Sequence, residues 1–438
     1  MLYCDAATFC RRRNDAGIMT DETGRRCAQE SIDIIIMKNK YYYLFIKNNF
    51  DYLLMIIYRK KKMKKKYLPS EWHEQQAVLL TWPHKDTDWA PYLNDITDME
   101  VEIARNVTYH EDLIIATPDS EAVRNILETW LSPTQLERVF IYQMPTNDTW
   151  ARDHGAITLL YKGHSVDDKA SEPTEYGNGV TLLDFRFNGW GDKFRADKDN
   201  AITANLQKMG AFTRLYAENS DAKTCCADCK KPAITLEDHL DFVLEGGSIE
   251  SDGKGTIFTT SMCLLAPHRN QPMDKAEIEE QLKRRLCAER VIWIDHGNLI
   301  GDDTDGHIDT TVRIAPDDTL LYVKCYDEED EQYADFQAME KQLETFRTIE
   351  GKPYRLLPLP MPRPIYDEDD RLPATYANFL IINGAVLVPT YNQPGLDRQA
   401  LETISKAFPD REIIGIDARV AVRQHGSLHC LTMQFPAE

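Results

Sequence analysis

Cys430 lies eight residues before the end of the 438-residue chain, in His425-Gly426-Ser427-Leu428-His429-Cys430, and His307 lies 123 positions earlier in Gly306-His307-Ile308-Asp309. The pair offers a thiol and an imidazole beside a carboxylate, two parts of a nucleophilic hydrolase. A free cysteine titrates at about 8.5, so a cationic neighbour or a cationic substrate must assist it. An imidazole titrates close to working pH and can act as general acid and base. Glu245, between Leu244 and Gly246-Gly247, is placed to fix the tautomer of His307.

Asp153 and Asp309 narrow the chemistry. Acyl transfer develops an oxyanion, which carboxylates repel and N–H donors stabilise. Two carboxylates beside a thiol suit a planar cation with N–H groups on two sides, a guanidinium held by forked hydrogen bonds. Attack on the guanidinium carbon, loss of ammonia with a proton from His307, and hydrolysis of the covalent thiouronium by water activated at the same His307 describe a deiminase. Each residue alone has a plainer reading. Asp153 could pair with Arg152, His307 could be structural, Glu245 could serve a turn, and Cys430 could fill a strand. His425 and His429 are nearer to Cys430 in sequence, but strand alternation places His429 on the opposite face. The run Asp302-Asp303-Thr304-Asp305-Gly306 is not a calcium loop, because the first and twelfth positions fall on Gly301 and Val312. Asp303 and Asp305 could instead receive a second positive charge on the ligand.

The elements that must position these groups repeat. The spacing predicts a helix over 120–131 and a strand over 138–142, with Asp153 eleven residues after Tyr142. It predicts a helix over 275–286 and a strand over 291–295, with His307 twelve residues after Asp295. It predicts a helix over 397–408 and a strand over 412–417, with Cys430 thirteen residues after Asp417. Two fainter copies join a helix over 200–209 to a strand over 212–216 and later Glu245, and a helix over 332–346 to a strand over 354–359 and later 373–378. Strands over 378–383 and 385–391 flank Asn383-Gly384, a hairpin signal. Five such units make an α/β propeller, pseudo-symmetric and five-bladed, with its site near the axis.

Composition bounds the partners. The net charge of −20 argues against nucleic acid, which needs a basic face, and no run of about 18 uncharged apolar residues exists to span a membrane. Ten irregularly spaced cysteines suggest a reducing cytoplasm rather than a disulfide framework. Cys225, Cys226 and Cys229 lack the second pair of a zinc ribbon, so no metal is expected. Residues 1–62 hold 12 Lys/Arg against 7 Asp/Glu and show no clear period. They read as a non-native or disordered extension, with Met63 as the expected start of a single domain over 63–438.

From Tyr67 onward the chain resembles the agmatine deiminases, in the group shared with the bacterial-type peptidylarginine deiminases. The matching segments are Leu68-Pro69-Ser70-Glu71-Trp72, Leu80-Thr81-Trp82-Pro83, Thr149-Trp150-Ala151-Arg152-Asp153, Leu244-Glu245-Gly246-Gly247-Ser248, Asp305-Gly306-His307-Ile308-Asp309 and His429-Cys430. The resemblance implies the pentein fold of the guanidine-modifying superfamily and no cofactor. It implies Cys430 as nucleophile, His307 as acid/base, Glu245 as its partner, and Asp153 and Asp309 as guanidinium ligands. Trp150 is placed to cover the substrate's aliphatic chain, or to serve the core. The implied reaction converts agmatine to N-carbamoylputrescine and ammonia, towards putrescine and the polyamines. The alternatives are deimination of peptidylarginine or free arginine, and a catalytically silent scaffold. The sequence leaves open whether the chain works alone or as a homodimer.

Overall fold

The computed structural model describes residues 66–161, 179–217 and 233–438. The extension over 1–62 and the cluster Cys225, Cys226 and Cys229 lie outside the described residues. Strands and helices alternate to give an α/β fold, and among the described residues the strands form five mixed sheets and one small hairpin.

Each sheet has one plan. In the first, Gln75–Thr81, Asp112–Thr117 and Val139–Gln143 run parallel, and Thr432–Pro436 pairs antiparallel with Gln75–Thr81. In the second, Ile157–Tyr161 is antiparallel to Gly179–Arg186, which is parallel to Ala233–Val243, with Lys66–Tyr67 added at the edge. The third joins Ile249–Ser251, Thr256–Thr260 and Arg290–Ile294; the fourth joins Val312–Ala315, Thr319–Lys324 and Arg355–Pro360; the fifth joins Leu380–Ile382, Ala385–Thr390 and Glu412–Asp417. In all three the first pair is antiparallel and the second parallel. A parallel partner requires a crossover, commonly a helix. The helices Leu93–His110, Ser120–Trp130, Lys275–Arg285, Tyr333–Thr345 and Pro394–Ala407 supply it.

Local sequence explains these boundaries. Asp119 caps Ser120–Trp130 by accepting from Ala122 N at 3.0 Å. Asp274 and Glu277 form a reciprocal capping box at the start of Lys275–Arg285. The middle strand Ala385–Thr390 is buried at every position but its last, so it reads as a continuous apolar run rather than an alternating one.

The expected strand over 212–216 is instead the helix Ala211–Ala217. Ala211, Phe212, Leu215 and Tyr216 are buried and Thr213 and Arg214 exposed, a helical spacing rather than a period of two. The parallel strand of that sheet comes later, at Ala233–Val243.

The segment leaving each parallel third strand leads to the first strand of the next sheet. Asp153, Glu245, His307 and Cys430 occupy four of these segments, shortly before the strands that begin at Ile157, Ile249, Val312 and Thr432. Asn378, just before Leu380–Ile382, occupies the fifth.

Candidate active site

The four segments converge, and Gly247 lies between their side chains. A Cβ on Gly247 would stand 2.6 Å from His307 Nδ1 and 3.0 Å from both Asp153 Oδ1 and Asp309 Oδ2. Only a residue without a side chain lets the imidazole and both carboxylates come this close. His307 Nδ1 is 3.7 Å from Asp153 Oδ1, and Cys430 Sγ is 3.8 Å from Asp309 Oδ2. All of these side chains are buried.

Asp153 accepts from Gly247 N at 3.0 Å and from Trp190 Nε1 at 2.9 Å. Its neighbour Arg152 does not pair with it; Arg152 Nη1 binds Glu71 at 3.0 Å. Asp309 Oδ2 faces His429 Nδ1 at 2.7 Å, while Oδ1 is buried without a partner. Both ring nitrogens of His307 and one oxygen of Glu245 likewise lack hydrogen-bond partners. Buried polar atoms left open in this way are costly, and here they cluster around Gly247 and Cys430.

Electrostatics sorts the groups. Burial pushes Asp153 up to about 6, with the His307 charge opposing and the charges of Asp309 and Glu245 adding to the rise. Burial also acts upward on Asp309, but the hydrogen bond and charge of His429, with His307 and Arg313, hold it below the ordinary carboxylate range. Burial opposes the charge on His307, yet Asp153, Cys263 and Asp309 lift it well above the usual imidazole value. The Cys430 thiol is pushed well up, first by burial and then by Asp309 and Asp153. Both shifts favour the protonated forms, a thiol and an imidazolium, in a pair coupled through the carboxylates between them.

Glu245 makes its ion pair with Arg269, at 2.7 Å, while a Glu245 oxygen, the Cys263 sulfur and a His307 nitrogen lie within 4.8 Å of one another. Glu71, Glu250 and His429 form a second set of possible metal donors. In both, arginine already supplies the positive charge a metal would bring: Arg269 at Glu245, and Arg313 at Glu71 and Glu250.

A cavity of about 280 Å³ reaches Cys430 from outside, lined by Asp88, Asp148, Trp150, Asp153, Trp190, Phe194, Asp303, Thr304, Gln424, His425 and Gly426. Trp150 lies in its wall, with ring centroids 5.8 Å from Trp89 and 6.5 Å from Trp190. Asp303 lines it too. Asp305 does not: it binds Lys193 at 2.8 Å and Arg269 at 2.7 Å. Asp302 folds this loop by accepting from Thr304 Oγ1 at 2.7 Å and Gly306 N at 2.6 Å.

Four participants escaped the sequence reading. Asn378 donates to Cys430 Sγ at 3.2 Å and accepts from the backbone N–H of His429 and Cys430. Trp190 reaches Asp153 from a left-handed backbone run, Gly189 to Asp192. Asp88 and Asp148 add carboxylates to the cavity wall. His429 corrects the alternation argument, because it and Cys430 precede the strand, and a turn lets both reach Asp309. The Gly-Trp-Gly run around Trp190 was the one signal available.

A buried thiol, an imidazolium and flanking carboxylates in this α/β fold define a hydrolase acting on a guanidino C–N bond. Residues 67–436 match the profile of the Porphyromonas-type peptidyl-arginine deiminases. The chain belongs to that family. A solved Porphyromonas gingivalis structure, provisionally named an arginine deiminase, is 47% identical with a TM-score of 0.73, covering 85% of this chain and 98% of that one. A cysteine-to-serine variant of the C. jejuni agmatine deiminase, solved with substrate bound, is 34% identical with a TM-score of 0.70, covering 85% and 97%. The agmatine deiminase of Stutzerimonas stutzeri is 27% identical over 391 residues, 85% of this chain and 95% of that protein.

Proposed function

We propose that the protein hydrolyses agmatine to N-carbamoylputrescine and ammonia, with Cys430 as nucleophile. The observation that carries this reading is the cavity wall. It holds four carboxylates, Asp88, Asp148, Asp153 and Asp303, and no lysine or arginine among the described residues. A dicationic ligand suits such a wall, whereas the carboxylate of free arginine would meet like charge. Solved relatives named agmatine deiminases support the same substrate. The peptidyl-arginine reading keeps one observation in its favour, the description of the matching family.

The guanidinium sits between Asp153 and the open Oδ1 of Asp309, and its charge offsets the two carboxylates that hold the thiol protonated. Cys430 gives its proton to solvent through the cavity, and the thiolate attacks the guanidinium carbon. The tetrahedral adduct expels ammonia with a proton from His307, leaving a thiouronium on sulfur. Water then gives a proton to His307, adds to the same carbon, and the C–S bond breaks to release the carbamoyl product and the thiol. Glu245 and Cys263 stand beside His307, and Cys263 joins Asp153 and Asp309 in favouring its charged form. Asn378 holds the backbone and sulfur of Cys430. Trp150 packs along the aliphatic chain, and the outer acids Asp88, Asp148 and Asp303 receive the far amine.

In this reading the five sheets are the blades of a pentein propeller, and the reaction lies between arginine and putrescine in the cytoplasm. The absence of disulfides at Cys263, Cys325 and Cys430 supports that compartment. The test is ammonia release from agmatine, free arginine and an acyl-arginine peptide in parallel, with Cys430→Ala as control. Turnover confined to agmatine and lost in the control is expected. Preference for the peptide would replace this substrate assignment.

A further inference from the structure

From Asp309 a chain of buried polar contacts runs to Glu71. His429 Nδ1 faces Asp309 Oδ2 at 2.7 Å, and His429 Nε2 faces Glu71 Oε1 at 2.8 Å and Oε2 at 3.0 Å. Glu71 is itself clamped by Arg152 and Arg313, and Arg313 also binds Glu250. His429 is fully buried and Glu71 nearly so. Glu71 borders a separate small cleft with Ser70, His73, Gln75, Arg152 and Gln434, and neither it nor His429 lines the cavity at Cys430.

We propose that His429, clamped by Glu71, is a positioning residue that fixes the Asp309 carboxylate with Oδ1 turned to the substrate's guanidinium. The inference rests on the guanidine-hydrolysing reading above. A carboxylate bound at one oxygen by a rigid imidazole loses its rotational freedom, and the other oxygen is presented in one place. The imidazole in turn is fixed by the partner of its second nitrogen. The two carboxylates at the guanidinium are then distinct: Asp153 is held by neutral donors, Gly247 N and Trp190 Nε1, while Asp309 is held through a charged network.

The groups facing Asp309 are His429, His307, Cys430, Asp153 and the Arg313 charge, and those facing His429 are Asp309, Glu71 and, without a hydrogen bond, Glu250. Among them, the hydrogen bond from His429 is the contact that offsets burial at Asp309. Without it the Asp309 carboxyl rises, and a carboxylate that must be ionised to bind a cation fails at a higher pH.

The test compares wild type with His429→Gln, Glu71→Gln and, as control, Glu250→Gln, which disturbs the Arg313 network and removes a nearby charge while leaving both hydrogen bonds of His429 in place. The first readout is the alkylation rate of Cys430 by chloroacetamidine divided by its rate with iodoacetamide. A wild-type enzyme without amidine preference would sink the guanidinium-site reading itself. With that preference present, His429→Gln and Glu71→Gln are expected to lower the ratio by about tenfold or more while the iodoacetamide rate and melting curve hold. The acid limb of kcat/KM for agmatine, set in wild type by Asp153, steepens as a raised Asp309 titrates alongside it, with KM affected more than kcat. Should His429→Gln not fold, Glu71→Gln decides alone. An unchanged ratio and acid limb in Glu71→Gln, or an equal loss in Glu250→Gln, would overturn the proposal.

Discussion

At the scale of single residues, the site depends on how close like charges are allowed to come. Gly247 sets that closeness. Gly247→Ala drives a methyl group into the space between His307, Asp153 and Asp309, and turnover is expected to fall about a hundredfold while the melting midpoint changes little. Steady-state kinetics beside a thermal melt checks this; a variant with wild-type turnover would show that the three side chains can spread at no cost. If Asp153 holds the guanidinium as proposed, it sets the acid side of the pH profile. Burial lifts it to about 6, and only its ionised form holds a cation. Binding is therefore complete above that value and lost as pH falls through it, so kcat/KM should decline below about pH 6. Asp153→Asn is expected to lower kcat/KM between tenfold and a hundredfold, roughly the worth of one charged hydrogen bond, and to remove that limb from the profile. The positions of Asp153, His307 and Cys430 were legible in the sequence because each follows a helix and strand at nearly the same offset. Asn378 was not, since it does not titrate and its unit carries an inserted hairpin over 365–372. Asp88 and Asp148 gave no sign because charges distant in sequence meet only through the fold.

At the scale of elements, the loop that carries His307 is held by its own side chains. Asp302 closes it over Thr304 and Gly306, and Thr304 Oγ1 accepts from His307 N at 3.0 Å. Removing these acceptors with Asp302→Ala leaves the backbone N–H groups of Thr304 and Gly306 without partners and frees the imidazole. We expect kcat to fall by about tenfold or more with KM for agmatine nearly unchanged, since Asp302 does not line the cavity. Progress curves over a range of substrate concentration would decide it; a change in KM alone would place Asp302 at the substrate instead. The secondary structure was legible wherever a helix was long enough to show several turns, as in Lys275–Arg285 and Pro394–Ala407. It failed at Ala211–Ala217, where seven mostly apolar residues satisfy either period and only the exposure of Thr213 and Arg214 breaks the tie.

For the molecule as a whole, buried acids make stability depend on pH in an unusual direction. Burial pushes Glu111 and Asp199 each up to about 8 and Asp184 up to about 7. The folded chain therefore binds more protons than the unfolded chain between about pH 4 and 8. Stability must fall as pH rises through that window, and the raised His307 acts with the same sign. His84, His110 and His154 lie below the usual imidazole value and oppose this only below about pH 6.5. The melting midpoint is expected to drop between pH 6.5 and 9, as calorimetry in matched ionic strength would show; a flat or rising midpoint would mean these carboxyls ionise freely in the fold.

The pairing of Thr432–Pro436 with Gln75–Thr81 joins segments more than 350 residues apart, the kind of non-local contact that forms late. Cys430 stands two residues before that strand, after every other residue of the site has been synthesised. On the chemistry proposed above, a nascent chain on the ribosome therefore gains its imidazole at residue 307 and stays without a nucleophile until residue 430 is added. On that chemistry reactivity arrives in one step, when the returning strand docks, and chains clipped before residue 430 are expected to be chemically silent.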